Sequence, residues 1–276
     1  MIASLNGATT RPYPLEEDLR AAAAAGFPMV ELWGEKFEKF FAAHSIDDLK
    51  RMLDQSSLRV TAIDLVALDY SEPQNVETAV ARARTLGEIA QAVGCDLLLL
   101  CSWGDLHGRS KAEGLALVAE YIQPVCVAAA DYGCRLAIEP LGGNPLIPGC
   151  EEALAIIEQA HQPNLGLMWD FFHYYKSGVP LDVIRRIPAD KLWLVHANDV
   201  PDLPRATMKD PDRVYPGLGA LPLATYFAVL DELGYDGPVS LELFNQTYYQ
   251  QPIDEIAAQA FTALQPYLES LSLIHI

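Results

Sequence analysis

The chain has 276 residues, close to the roughly 250 of one (β/α)8 barrel, and its hydrophobic fraction of 51% is enough for a large core. A formal net charge of −18, with no cluster of Lys or Arg, argues against a nucleic-acid partner, because phosphate contacts depend on cationic side chains. No apolar run of about 18 residues is visible, and the start lacks the basic region of a signal peptide, so no membrane partner and a cytoplasmic location are expected.

The elements follow in regular alternation. Ile2–Asn6 reads as a first strand, and Leu15–Ala25 as a helix with acidic residues in its first turn and Gly26 as its stop. A second strand is predicted over 28–33. The next helix covers 45–56, where Ser45 and Asp48 form a near match to a capping box. A third strand over 59–65 precedes a long helix, Asn75–Val93, closed by Gly94. The fourth strand, 96–101, holds four consecutive leucines, as expected for a strand covered on both faces. The helix over 110–132 contains Pro124, which predicts a kink, and ends at Gly133.

A fifth strand over 134–139, a helix over 151–159 and a sixth strand over 164–170 come next. They are followed by a short helix over 181–186, a seventh strand over 191–196 and a long polar loop over 197–219. A helix over 221–233, an eighth strand over 238–243 and a final helix over 253–268 complete the pattern. The apolar tail, 270–276, is read as partly foreign to the fold. Eight strand–helix units with short connections predict one parallel (β/α)8 TIM barrel domain over 1–276. The alternative, an open doubly wound sheet, would carry a glycine-rich fingerprint after the first strand. Asn6-Gly7-Ala8-Thr9-Thr10 does not match one.

Four of the strands stop at a residue able to bind a metal: Glu139, Asp170, His196 and Glu242. Carboxyl ends of barrel strands are where catalytic groups sit, and an oxygen/nitrogen donor set of this kind suits one divalent ion, Mn, Zn, Co or Mg. A lone acid at a strand end is often a helix cap or an ion-pair partner. Four at matching positions on successive strands point to a metal site. Trp33, Trp103 and Trp169 end or follow strands and are candidates to wall a pocket, with ordinary rim packing as the alternative. Glu31 and Asp64 could bind substrate hydroxyls, although a structural ion pair fits them somewhat better. His107 reads as a solvated loop histidine. Gly217-Leu218-Gly219 could cradle a phosphate, but a plain turn suits it better. The five cysteines, Cys95, Cys101, Cys126, Cys134 and Cys150, form no CxxC pair and read as free, mostly buried thiols. No lysine falls at the carboxyl end of a predicted strand, which counts against Schiff-base chemistry.

The words around these ends resemble the xylose isomerase-like sugar isomerase/epimerase family. They are Ala137-Ile138-Glu139-Pro140, Trp169-Asp170-Phe171-Phe172-His173, Val195-His196-Ala197-Asn198-Asp199 and Ser240-Leu241-Glu242-Leu243-Phe244. The segments from Asn6, from Asp212 to Gly219 and from Glu242 to Asn245 add to the likeness, which covers nearly the whole chain. It implies that Glu139, Asp170, His196 and Glu242 bind one divalent ion, and that Asn6, His173 and Arg213 face substrate. It also implies a polyol or keto-sugar substrate, with 2-keto-myo-inositol the nearest guess, and leaves a homo-oligomer open. Pro140 and Trp169 depart from the pattern and are read as pocket-lining.

The expected reaction is isomerisation or epimerisation by proton transfer through an enediolate, with Glu139 and Glu242 as the acid/base pair. Hydride-shift isomerases of the wider fold use two metals and a lysine near the fifth strand, and neither is evident. Three rivals share the barrel: a dehydratase of inosose or dehydroshikimate type, an endonuclease IV-like phosphodiesterase and a non-catalytic sugar-binding barrel. The six histidines and the acidic charge weigh against the nuclease.

Overall fold

A computed structural model describes residues 1–269, and the apolar tail lies outside them. Eight parallel strands close into a barrel in sequence order, with the last pairing to the first. They are β1 Ile2–Asn6, β2 Met29–Trp33, β3 Arg59–Asp69, β4 Leu97–Trp103, β5 Arg135–Glu139, β6 Leu165–Asp170, β7 Leu192–Ala197 and β8 Pro238–Leu241. The outer helices are α1 Leu15–Ala25, α2 Phe37–Phe41, α3 Ile46–Ser56, α4 Asn75–Val93, α5 Lys111–Ala130, α6 Cys150–Ala160, α7 Phe171–Ser177, α8 Leu181–Ile184, α9 Leu223–Glu232 and α10 Ile253–Glu269.

Strand alternation sorts the core into two layers. Ala62, Leu97, Leu99, Ala137, Met168 and Leu194 fill the barrel interior. Leu98, Leu100, Leu136, Ile138, Leu165 and Leu167 pack outward against the helices. The leucine run of β4 is therefore buried on both faces, as its composition predicts. The same parity carries inward-facing positions up to the barrel mouth, where polar residues replace apolar ones.

Local chemistry sets the helix ends. Ser45 and Asp48 make a complete capping box: the Asp48 amide donates to Ser45 Oγ at 3.1 Å, and the Ser45 amide donates to Asp48 at 2.8 Å. Gly26 and Gly94 end α1 and α4 in the left-handed conformation, where glycine meets no steric cost. Pro124 lies inside α5, which continues on both sides of it. By length and composition alone α5 could cross a bilayer, but it is packed onto the barrel through Val118, Ile122, Val125 and Ala129.

β3, α7 and α2 differ from the sequence expectation. β3 runs on to Asp69, with a register shift between Ile63 and Val66, so Asp64 sits within the strand. α7 and α2 are absent from the predicted order. Each is a short segment rich in large aromatics, seven and five residues long respectively, too short to reveal a helical period.

Candidate metal centre at the barrel mouth

Ladder register explains the convergence of the site. Asp170 pairs with His196, His196 with Ser240, and Cys101 with Glu139 across neighbouring strands. Glu139, Asp170, His196 and Glu242 are all buried, and one donor atom from each lies within 4.8 Å of the other three. Metal–oxygen and metal–nitrogen bonds of about 2.0–2.2 Å allow two donors on one ion to stand at most roughly 4.4 Å apart, so the spacing is close to what one ion needs.

His196 is held from both sides. Its Nε2 lies 3.0 Å from Glu31 Oε2, while Nδ1 faces Glu242 Oε2 at 3.2 Å and Asp170 Oδ2 at 3.7 Å. A carboxylate on Nε2 takes that N–H and leaves Nδ1 as the donor towards the cluster. Burial alone would lower the His196 pKa, but the charges of Glu31 and Glu242 outweigh it and hold the imidazole well above its ordinary value. Glu31 is thus the ion-pair partner that its place in β2 suggested.

Asp170 divides its two oxygens. Oδ1 accepts the His173 amide at 2.8 Å and so caps α7, while Oδ2 accepts from Asn198 at 3.1 Å and Arg213 at 2.8 Å. Burial would raise this carboxyl, but the Arg213 guanidinium and His173 more than offset it and hold it well below the usual carboxylate range. Glu139 goes the other way. Burial first, and the charge of Glu242 second, push it up to about 8. Its Oε2 accepts the Cys101 thiol at 3.0 Å, and its Oε1 faces His196 Nδ1 at 3.8 Å. Glu242 accepts Arg213 at 2.8 Å on Oε2 and the Asn6 amide at 3.3 Å on Oε1.

The donor chemistry fits a divalent cation. Glu31, Glu139, Asp170 and Glu242 are buried around the cluster, and among the described residues Arg213 is the one permanently charged cation that pairs with any of them. Closely packed buried carboxylates repel one another unless a cation or a proton stands between them. The buried Asn198 Oδ1 has no hydrogen-bond partner among the described residues, a further polar atom beside Asp170.

A cavity of about 700 Å³ opens over the cluster. Glu139, Glu242, His173, Arg213, Trp33 and Trp103 all line it. Trp33 is buried and Trp103 is 44% exposed at the rim. Arg213 Nη2 donates to His173 Nε2 at 3.1 Å and to Asp210 at 2.6 Å. Because a guanidinium only donates, His173 Nε2 accepts, and burial keeps this histidine below its ordinary pKa. Asn6 lies beneath the cavity rather than on its wall and reaches the site through Glu242.

Two expectations are corrected. Trp169 does not wall the pocket: it points outward, in edge contact with Phe171 at 5.0 Å and tilted against Tyr226 at 5.2 Å. One residue before an inward-facing Asp170, strand parity requires this. Pro140 is buried and is likewise absent from the cavity wall. Other readings hold. The Gly217 and Gly219 amides both donate to Asp199 Oδ2 at 3.0 Å, so the segment is a turn whose donors are already used. His107 is an exposed loop residue, and the five cysteines are free and buried. Lys36 has no sequence signal of burial, yet it is 6% exposed and donates to Asp18 at 2.5 Å and to the Thr10 carbonyl at 3.0 Å. It braces two loops outside the main cavity, whose described lining contains no lysine.

Residues 19–267 match the family described as Xylose isomerase-like TIM barrel. The chain belongs to that family. An inosose isomerase of Halalkalibacterium halodurans is 26% identical over 248 residues, spanning 87% of this chain and 86% of that one. A 3-dehydroshikimate dehydratase of Pseudomonas putida is 28% identical over 92% of this chain but only 40% of its own length. The 1.8 Å crystal structure of the IolI protein with a bound zinc atom matches with a TM-score of 0.92 at 23% identity, covering 98% of this chain and 99% of that one. Family membership makes the barrel mouth the place to seek the chemistry.

Proposed function

We propose that the protein is a divalent-metal-dependent isomerase or epimerase of a keto-sugar or keto-cyclitol, with 2-keto-myo-inositol as its substrate. The observation that carries this reading is that Glu139 and Glu242 line the cavity while Asp170 and His196 lie buried behind them, with one donor atom of each of the four within 4.8 Å of the others. The inosose isomerase relatives and the zinc named with the IolI structure support it. Glu139, Asp170, His196 and Glu242 would hold one ion. When bound, that ion supplies Lewis acidity, polarising the substrate carbonyl and stabilising enediolate charge.

The protein groups perform the rest. One glutamate takes the proton from the carbon beside the carbonyl, the hydroxyl proton on that carbon passes to the carbonyl oxygen, and the other glutamate delivers a proton to the former carbonyl carbon. Cys101 holds the Oε2 of Glu139, while Asn6 and Arg213 fix both oxygens of Glu242. The two carboxyls are thereby kept from rotating out of line. Glu31 orients His196, and Trp33 and Trp103 offer apolar faces to a ring.

The lining also favours a neutral polyol over a carboxylate such as dehydroshikimate. Arg213 is spent on Asp170, Glu242 and Asp210, and Arg11 pairs with Glu35 at 3.3 Å while lying over Trp33. No described cation on the wall is left to meet a substrate anion. NMR of 2-keto-myo-inositol with Mn²⁺-loaded protein in D₂O tests the reading. Deuterium enters the carbon next to the carbonyl and a ketose isomer accumulates. Loss of water to an enone instead would make the protein a dehydratase. Glu139→Gln and Glu242→Gln fold normally but lose about 10²–10⁴ in turnover. Near-normal turnover of either variant with metal bound removes that residue from the acid/base pair.

A further inference from the structure

We infer that Asp64, across the barrel from the metal cluster, is the carboxyl that grips a hydroxyl of the polyol ring and selects among ring stereoisomers. This rests on the keto-cyclitol reading above. β3 stands opposite β7 in the closed barrel, so Asp64 faces the cavity from the side away from His196. It is 5% exposed, yet its carboxyl makes no hydrogen bond or ion pair with any described residue. Buried carboxyls without partners are costly, and in a cavity wall the missing partner belongs to the ligand.

The surroundings define that ligand. Asp64 lines both the main cavity and a side chamber of about 370 Å³ that opens between Trp33 and Trp103. Register sets Trp33 directly beside it on β2. Arg82 of α4 also borders the side chamber, but it gives its Nε to the Leu65 carbonyl at 3.4 Å rather than to Asp64. Burial, together with the nearby charges of Glu242, Glu31 and Glu139, lifts the Asp64 carboxyl well above its ordinary range. A carboxyl placed there has oxygens free to take a hydroxyl hydrogen bond from a ligand in the cavity. Two indoles flanking a buried carboxyl suit the apolar face and equatorial hydroxyls of a cyclitol ring.

Because Asp64 makes no hydrogen bond or ion pair with a described residue, its removal should not unfold the chain. Asp64→Ala and Asp64→Asn are expected to melt at or above the wild-type temperature, as at other sites where function holds a group against stability. Binding is read without turnover, by tryptophan fluorescence of Mn²⁺-loaded protein titrated with myo-inositol and with its single-deoxy analogues. Trp33 and Trp103 report the cavity, while Trp169 and Trp193 give a constant background. Wild type saturates. Asp64→Ala weakens myo-inositol binding by about tenfold to a hundredfold, and Asp64→Asn, which keeps a donor and an acceptor, by much less. One deoxy analogue binds wild type and Asp64→Ala equally, which identifies the gripped hydroxyl. Wild-type affinity in Asp64→Ala, or an equal loss across every analogue, overturns the role of Asp64 and leaves the functional reading intact. Failure of the wild type to bind any inositol or keto-inositol overturns the functional reading itself, and Asp64 then has no hydroxyl to hold.

Discussion

Glu31 shows how a residue outside the proposed ligand set governs it. Its carboxylate holds His196 Nε2 at 3.0 Å, so the imidazole cannot present that nitrogen to the cluster. Outer-shell carboxylates of this kind raise ligand basicity and fix the ring. Glu31→Gln is therefore expected to weaken metal affinity by about 10- to 100-fold with little change in fold, as read by competition with a chelator. Arg213 works differently. It neutralises Asp170 and Glu242 at 2.8 Å each and is 1% exposed. Replacing it by Met strips two buried carboxylates of their guanidinium partner and leaves them only His196 and amide contacts, and in metal-stripped protein that costs about 3–5 kcal/mol by urea unfolding. Adding metal recovers part of this loss, since the ion meets the same carboxylates.

Between residue and barrel, the loop after β7 shapes one side of the cavity. It delivers Asp210 and Arg213 to the cavity and is pinned by one side chain. Asp199 accepts the amides of Gly217, Gly219, Val200 and Leu221, all between 2.9 and 3.0 Å. A Cβ at Gly219 would run into the Asp199 carboxylate and the Val200 carbonyl, so only glycine permits this wrap. Asp199→Ala frees four buried or half-buried amides, each lost bond being worth about 1–3 kcal/mol. Faster hydrogen exchange over 210–221 is the expected result, with β1–β6 unchanged. The amides claimed by Asp199 also remove the phosphate cradle that this glycine pair could otherwise have formed.

At the scale of the whole molecule, the cluster couples stability to pH and metal. Glu139 is raised from its ordinary 4.5 to about 8 in the folded chain. A raised carboxyl contributes stability that is complete below its unfolded value and lost as pH climbs through the folded one. Metal-stripped protein should therefore lose stability between about pH 4.5 and 8 on account of Glu139. Asp170, held low, acts in the opposite sense: its contribution is present above its ordinary 3.8 and fades only in acid. Metal binding must displace the Glu139 proton, so apparent affinity rises with pH up to about 8. At a hundredfold excess over its Kd the ion adds about 2.7 kcal/mol and reverses the downward trend. Thermal melts across this pH range, with and without Mn²⁺, check both signs; a melting temperature of the stripped protein that rises from pH 5 to 8 contradicts the first.

Much of this was readable in the chain itself. Period-two runs ending in Glu139, Asp170, His196 and Glu242, separated by capped helices, specify a closed parallel barrel, because side chains two apart on a strand share one face. Parity would also have excluded Trp169 from the pocket: it is odd-numbered in a strand whose inward set, Met168 and Asp170, is even. Other relations have no local signal. Cys101 meets Glu139, Glu31 meets His196 and Lys36 meets Asp18 across separations of 18 to 165 residues. Those pairings depend on ladder register and loop path, which arise when the barrel closes and strands distant in sequence become neighbours. The unpartnered state of Asp64 is likewise a property of what surrounds it. The sequence alone thus determined the fold and the donor set, through residue type and spacing. Tertiary structure decided how each donor is oriented, charged and paired, because burial and distance set those and neither is written in a single strand.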